Sequence, residues 1–266
     1  MNDSSSFLQL FSKSIFKPKM VLALIEERAQ SKNNQKHITH TYSYDYSSIN
    51  DFFKEEFPDG DFEEYESEIR IIDENVQNFL KELENKKFPS KEKPYPIEYS
   101  INSDSRKFLY FLCRLIKPKN IVETGVAYGI SSLYILNALE KNNSGKLYSI
   151  DSIFRPWQTT QMIGAAIPDN LKIRWSLSIG KSTEKLDKVF KEAIETDIFI
   201  HDSLHTYQNM MFEFNLAAKK IKKNGLIISD DVIGNDSFYD FSKEFNLKNT
   251  LIKVDEGSGL GIVRKN

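Results

Sequence analysis

From Ser103 onward, short apolar runs alternate with stretches of helical period, and that rhythm limits the folds open to the chain. Asn120-Ile121-Val122-Glu123-Thr124 reads as a buried strand, followed by a helix from Ser131 to about Leu139. Lys146 to Asp151 reads as a second strand, Leu171 to Ser176 as a third, Asp197 to Asp202 as a fourth and Leu226 to Ser229 as a fifth. Residues 206–223 form the clearest helix, with Tyr207, Met210, Met211, Phe214, Ala218 and Ile221 as its apolar stripe and Asn224-Gly225 as its stop. Another helix, capped by Ser103 or Asp104, is expected to reach about Ile116. Strands that alternate with helices imply parallel βαβ units with helices on both faces. Two last strands, about Thr250–Val254 and Leu260–Arg264, are joined by Asp255-Glu256-Gly257-Ser258-Gly259, too short for a crossover, so they must pair antiparallel.

The expectation is an α/β fold over residues 97–266: a Rossmann-like, seven-stranded, mostly parallel sheet with an antiparallel final strand. Residues 1–96 lack the rhythm. Phe62 to about Lys86 reads as a helix, Lys87 to Pro96 as a proline-rich linker and residues 31–50 as a polar loop. This region is expected to be a helical extension or lid, and its many aromatic residues suggest packing against a partner subunit. The net charge of -2 gives no global basic field to attract nucleic acid. No run is long enough to span a membrane, and no signal peptide is evident. The single cysteine, Cys113, lies in an apolar helical stretch, reads as core filler and fits a reducing compartment, so a cytoplasmic protein is expected.

In open parallel sheets, ligands bind beyond the carboxyl ends of the strands. The first strand runs into Glu123-Thr124-Gly125-Val126-Ala127-Tyr128-Gly129-Ile130-Ser131-Ser132. Gly125 and Gly129 allow a tight turn and close approach of a ligand. The free N–H groups of the helix starting at Ser131 or Ser132 would suit a carboxylate or a phosphate. Asp151, ending the second strand, can accept hydrogen bonds from both hydroxyls of a ribose. A plain tight turn is the competing reading of the glycines. The spacing is not G-x-G-x-x-G, which argues against the dinucleotide fingerprint.

The fourth strand ends in His201-Asp202-Ser203-Leu204-His205 and the fifth in Ser229-Asp230-Asp231. If these two strands are neighbours, their backbones lie about 4.8 Å apart and Asp202 would face Asp230 or Asp231. Crowded carboxylates repel unless a cation or proton joins them, and clustered oxygen ligands suit magnesium or calcium. His205, one helical turn beyond Asp202, could take a proton from a substrate hydroxyl as a neutral base. Asp231 alone would read as a helix or loop cap. His201 reads as structural, and His37 and His40 have no assigned role.

Glu-x-Gly-x-x-x-Gly-x-Ser after the first strand, with an acid ending the second, resembles class I S-adenosylmethionine-dependent methyltransferases. Asp-x-x-His-x-Tyr, a long helix, Lys-Asn-Gly and Asp-Asp are similar to the magnesium-dependent catechol and macrolide-sugar O-methyltransferases. The resemblance covers residues 95–265. It implies that Glu123, Gly125 and Gly129 shape the cofactor loop, that Ser131 meets the methionine carboxylate and that Asp151 binds the ribose. It implies Asp202, Asp230 and Asp231 as Mg2+ ligands, with Asp202 also at the cofactor site, and His205 as base. The expected acceptor is a hydroxyl of a small molecule or sugar. Phe154, Trp157 and Trp175 read equally well as core or pocket walls, with Trp157 the better placed for the cleft. A nicotinamide-dependent oxidoreductase is the rival enzyme, but its glycine spacing is missing, and the Tyr239/Lys243 pair reads as chance. A non-catalytic cofactor-binding scaffold would have no need to gather the Asp202–His205 and Asp230–Asp231 charges.

Overall fold

The computed structural model describes residues 17–39, 46–60, 62–254 and 259–266. The chain forms a mixed α/β fold. Eight helices are named here: α1 (Pro18–Asn34), α2 (Ile49–Glu56), α3 (Phe62–Glu84), α4 (Ser103–Ile116), α5 (Ile130–Lys141), α6 (Ser182–Ala193), α7 (Tyr207–Lys220) and α8 (Ser237–Glu244). The strands are β1 (Tyr46–Ser47), β2 (Asn120–Thr124), β3 (Lys146–Asp151), β4 (Trp175–Ile179), β5 (Thr196–His201), β6 (Ile221–Ser229), β7 (Asn249–Lys253) and β8 (Gly259–Arg264). They form one sheet in the order β1-β7-β8-β6-β5-β2-β3-β4. β8 is antiparallel to both β6 and β7, and the other pairings are parallel.

Alternation along the central strands builds two cores. Ile121, Ile198, Ile228 and Ile262 meet α2 to α5 on one face. Val122, Phe199, Ile227 and Val263 meet α6, α7 and α8 on the other. On α3, Tyr65, Ile69, Ile72 and Val76 recur at helical spacing and are buried, and Tyr65 packs on Phe111 of α4 at 5.6 Å. The Tyr110 hydroxyl of α4 donates to Glu68 of α3 at 2.8 Å. Burying each large apolar side chain of this kind stabilises the fold by roughly 1.5–3 kcal/mol.

Several boundaries differ from the sequence expectation. The sheet has eight strands rather than seven: β1 adds two residues to the free edge of β7, a pairing with no local signal. Within the stretch read as a loop, α1 runs on to Asn34 and α2 begins at Ile49, where Ser48 caps it by accepting from Asp51 N. His40 and Asp255 to Ser258 lie outside the described residues. Asn102, not Ser103 or Asp104, caps α4, accepting from Ser105 N at 2.8 Å. The third strand starts later, because Asp169–Arg174 coil into a 3-10 turn that buries Leu171 at 3% and leaves Ile173 82% exposed. Helix α7 stops at Lys220 instead of 223, since Ile221 already pairs with Thr196 and Asn224-Gly225 lies in an irregularity of β6.

Candidate active site

The carboxyl ends of β2 to β6 open into a cavity of about 630 Å³, within the range for small-molecule sites. Its half at β2 and β3, where the sequence places a cofactor, is shaped by the turn after β2. Gly125 has φ of +86°, and a Cβ there would lie 1.8 Å from the Asp202 carbonyl oxygen. The turn can therefore pass under the end of β5 only as glycine. Gly129, at φ +83°, starts α5 and faces Gly164, where a Cβ would come within 2.8 Å of that Cα. Asp151 lines the cavity at the end of β3. Its Oδ2 accepts from Val126 N at 3.1 Å and Ala127 N at 2.7 Å, and its Oδ1 from Ser152 N at 2.6 Å. Burial pushes its pKa up, and these three N–H groups oppose the rise.

Glu123 is fully buried behind the turn rather than on the cavity wall. It accepts the hydroxyls of Ser131 (2.7 Å), Ser132 (2.6 Å) and Ser149 (2.8 Å), so it clamps β2, β3 and the first turn of α5 together. Burial raises its pKa against those three donors. Ser131 does line the cavity, but its hydroxyl is engaged with Glu123. What it offers a ligand is the backbone end of the helix.

At the reactive half, β5 and β6 are neighbours, with His201 opposite Ser229. Asp202 N donates to Thr124 O at 2.9 Å and Asp230 N to His201 O at 3.0 Å, which sets both acids at the same rim. Asp202, His205 and Asp230 each offer an atom within 4.8 Å of the others. His205 Nε2 lies 3.8 Å from Asp202 Oδ1. Asp231 also lines the cavity, in the left-handed region at φ +49°, but is outside that group of three. Burial, and then the charge of Asp230, push the Asp202 pKa well up. Burial, and then Asp231, push Asp230 up to about 7. Burial, and then His201, hold His205 down at about 4, so its imidazole is neutral at neutral pH. His205 Nε2 and Asp230 Oδ1 are buried with no hydrogen-bond partner. Two repelling carboxylates beside a neutral imidazole and two unused lone pairs fit a divalent cation.

Sequence reasoning missed several residues around this cavity. Glu213 of α7 is fully buried and receives Thr124 Oγ1 (2.5 Å), Ser203 Oγ (2.8 Å) and Asn209 Nδ2 (3.1 Å), with His201 Nδ1 at 2.7 Å. Burial would raise its pKa, but His201 and the hydroxyls of Ser182 and Thr124 outweigh that and hold it at about 2. The one available signal was an acid on the apolar face of α7, between Met210 and Ala217. Helix α1 forms a cavity wall with Ala23, Glu26, Glu27 and Gln30. Glu27 receives both terminal nitrogens of Arg155 at 2.9 Å, Glu26 pairs with Lys181, and Gln30 accepts from Thr206 Oγ1 at 2.7 Å. His37 stacks on Tyr207 at 3.7 Å. Phe154 lines the cavity. Trp157 does not, because its indole N–H is turned to Pro94 O at 3.0 Å. Trp175 donates to Ser149 Oγ at 2.9 Å and packs against the core. Lys243 sits over the Tyr239 ring on α8, away from the cavity wall.

Residues 122–232 match the family model described as a methyltransferase domain. No curated protein matches the chain. Among solved structures, the O-methyltransferase TomG of Streptomyces achromogenes, involved in tomaymycin synthesis and solved with SAM, is 16% identical. It has a TM-score of 0.54 over 64% of this chain and 83% of its own. An O-methyltransferase of Bacillus cereus, in complex with SAH, is 16% identical with a TM-score of 0.52 over 82% and 98% of the two chains. The SAH-bound methyltransferase PaMTH1 of Podospora anserina is 15% identical with a TM-score of 0.52 over 76% and 96%. At such identities the likeness is one of fold. The chain thus shares the fold of these methyltransferases, and the part that matches a methyltransferase domain, residues 122–232, carries the turn after β2 and the ends of β3, β5 and β6. The solved structures it resembles include O-methyltransferases. Among the described residues, no helix is long and apolar enough to cross a membrane.

Proposed function

We propose that the protein transfers a methyl group from S-adenosylmethionine to a hydroxyl of a small molecule or sugar, with a divalent cation at Asp202 and Asp230. The observation that carries this reading is the group Asp202, His205 and Asp230, with ligand atoms within 4.8 Å of one another, in the same cavity as Asp151. S-adenosylmethionine would supply an activated methyl on its sulfonium, and Mg2+ would make the acceptor hydroxyl more acidic. Asp151 binds the ribose, and the first-turn N–H groups of α5 receive the methionine carboxylate. Gly125 and Gly129 let the backbone approach closely. Asp202, at the junction of the two halves, serves both, and Asp231 completes the ligand set from the cavity wall. His205 takes the hydroxyl proton, which its neutral imidazole allows at neutral pH. Alignment of acceptor and methyl in the cavity supplies most of the rate.

The His205 Nε2 position 3.8 Å from Asp202 Oδ1 also admits a second role, as a metal ligand. His205→Ala separates the two: a base loses turnover alone, a ligand loses Mn2+ affinity as well. The decisive experiment is calorimetric titration with S-adenosylhomocysteine, with NAD as control, followed by labelled methyl transfer to hydroxylated acceptors with Mg2+ or chelator. Binding that is lost in Asp151→Ala, and turnover that chelator abolishes, is the expected result. Full turnover in chelator would remove the cation from the reading, and NAD binding in place of the adenosyl ligand would remove the reading itself.

A further inference from the structure

One buried polar group in the cavity has no role in the reading above. Tyr95 lines the cavity, is only 2% exposed, and its hydroxyl has no hydrogen-bond partner. It belongs to the segment between α3 and α4, outside the strand-and-helix repeat. A native fold rarely leaves a buried hydroxyl unsatisfied without a reason such as a ligand.

The position of Tyr95 is built, not incidental. Tyr128 lies in the glycine turn between Gly125 and Gly129, and it holds the Tyr95 backbone twice. The Tyr128 hydroxyl donates to Tyr95 O at 2.8 Å, and Tyr95 N donates to the Tyr128 hydroxyl at 3.2 Å. The two rings meet edge to face at 5.2 Å. The cofactor turn therefore sets where the Tyr95 ring sits.

The Tyr95 hydroxyl also lies in the field of Asp151. Its pKa is pushed up by burial first and then by the Asp151 and Tyr128 groups. Yet none of the hydrogen bonds to the Asp151 carboxylate comes from Tyr95; they come from Val126, Ala127 and Ser152. A phenol donor without a partner and a carboxylate acceptor thus line the same cavity without joining. A ribose hydroxyl can bridge such a pair, because it donates to the carboxylate and accepts from the phenol at once.

Resting on the S-adenosylmethionine reading, we propose that Tyr95 is a cofactor-binding residue that donates to the ribose hydroxyl held by Asp151. The adenosyl site then draws on residues before the repeat as well as on the repeat itself.

The test is Tyr95→Phe, which removes one oxygen. Affinities for S-adenosylhomocysteine and for its 2′,3′-dideoxy analogue are measured by competition titration against wild type, and the melting temperature is measured without ligand. The variant should bind S-adenosylhomocysteine about 3- to 10-fold more weakly. It should match wild type on the dideoxy analogue and melt no lower, since its hydroxyl had no partner to lose. Equal affinity of wild type and variant for S-adenosylhomocysteine would overturn the proposal, as would the same deficit on both ligands. Absence of S-adenosylhomocysteine binding by wild type would instead overturn the cofactor reading beneath it.

Discussion

The two halves of the cavity treat their carboxylates in opposite ways. In the cofactor half, Glu123 accepts three hydroxyls and Asp151 three backbone N–H groups, so each charge is answered from within the fold. In the reactive half, burial and then Asp230 raise the pKa of Asp202, burial and then Asp231 raise that of Asp230, and Asp230 Oδ1 and His205 Nε2 have no hydrogen-bond partner. The first half is finished before a ligand arrives. The second holds repulsion that a cation or a proton must relieve. On the proposed function, the half that binds a large cofactor would gain from rigidity, while the half that handles a proton and a metal would need lone pairs left open.

Gly125 is the seam between the halves, and breaking it brings the largest expected loss of stability. Ala at 125 must hold φ near +86° and place a Cβ against the Asp202 carbonyl. The Asp202 backbone cannot retreat freely, because its N–H is fixed to Thr124 O. Gly125→Ala should cost about 3 kcal/mol, which is roughly 6–12 °C in Tm for a chain of this size. S-adenosylhomocysteine binding should fall with it. A variant with wild-type Tm and affinity would show that the turn and the end of β5 are not coupled.

Next comes the unrelieved charge. The folded pKa of Asp230 stands at about 7, raised by burial and then by Asp231. An unfolded aspartate titrates near about 3.9. The fold thus favours the neutral acid. Its contribution is fully present below about pH 4 and is lost as pH rises toward 7. Without metal, Tm should decline over that window, and Asp230→Asn should flatten the decline. At pH 8 in chelator the Asn variant should be more stable than wild type by up to about 4 kcal/mol, at about 1.4 kcal/mol for each unit of that rise in pKa. Added Mg2+ should stabilise wild type and leave the variant unmoved. A variant less stable than wild type in chelator at pH 8 would mean that the reactive half is not strained by charge.

How much of this was legible follows the same division. Gly125, Asp151, Asp202 and Asp230 could be placed because strand ends and turns obey local rules, and adjacency in the sheet then brings them together. The partners that complete the site are set by tertiary packing. Tyr95 meets Tyr128 across 33 positions, and Arg155 meets Glu27 across 128. No periodicity records such pairs. Trp157 failed as a cavity residue for a related reason: closeness to Asp151 in sequence did not determine where its ring turned, and Pro94 did. Glu213 was nearer to legible, since an acid amid the apolar stripe of α7 needs an internal partner.

The smallest effect concerns the wall that α1 adds to the finished half. Glu27 receives a bidentate Arg155, and Glu26 meets Lys181, so the helix is tied to the loops after β3 and β4 by charge. Only Leu24 of α1 is buried, so apolar packing holds it weakly and the ion pairs carry much of its docking. Partly exposed pairs of this geometry contribute about 0.5–1 kcal/mol and weaken with salt. Glu27→Gln should therefore raise the dissociation rate of S-adenosylhomocysteine about two- to fivefold at low ionic strength, and the difference should shrink in high salt. Stopped-flow dissociation measures both. An unchanged rate at low salt would show that the cofactor half is closed without α1, and that the finished half ends at the strand-end loops.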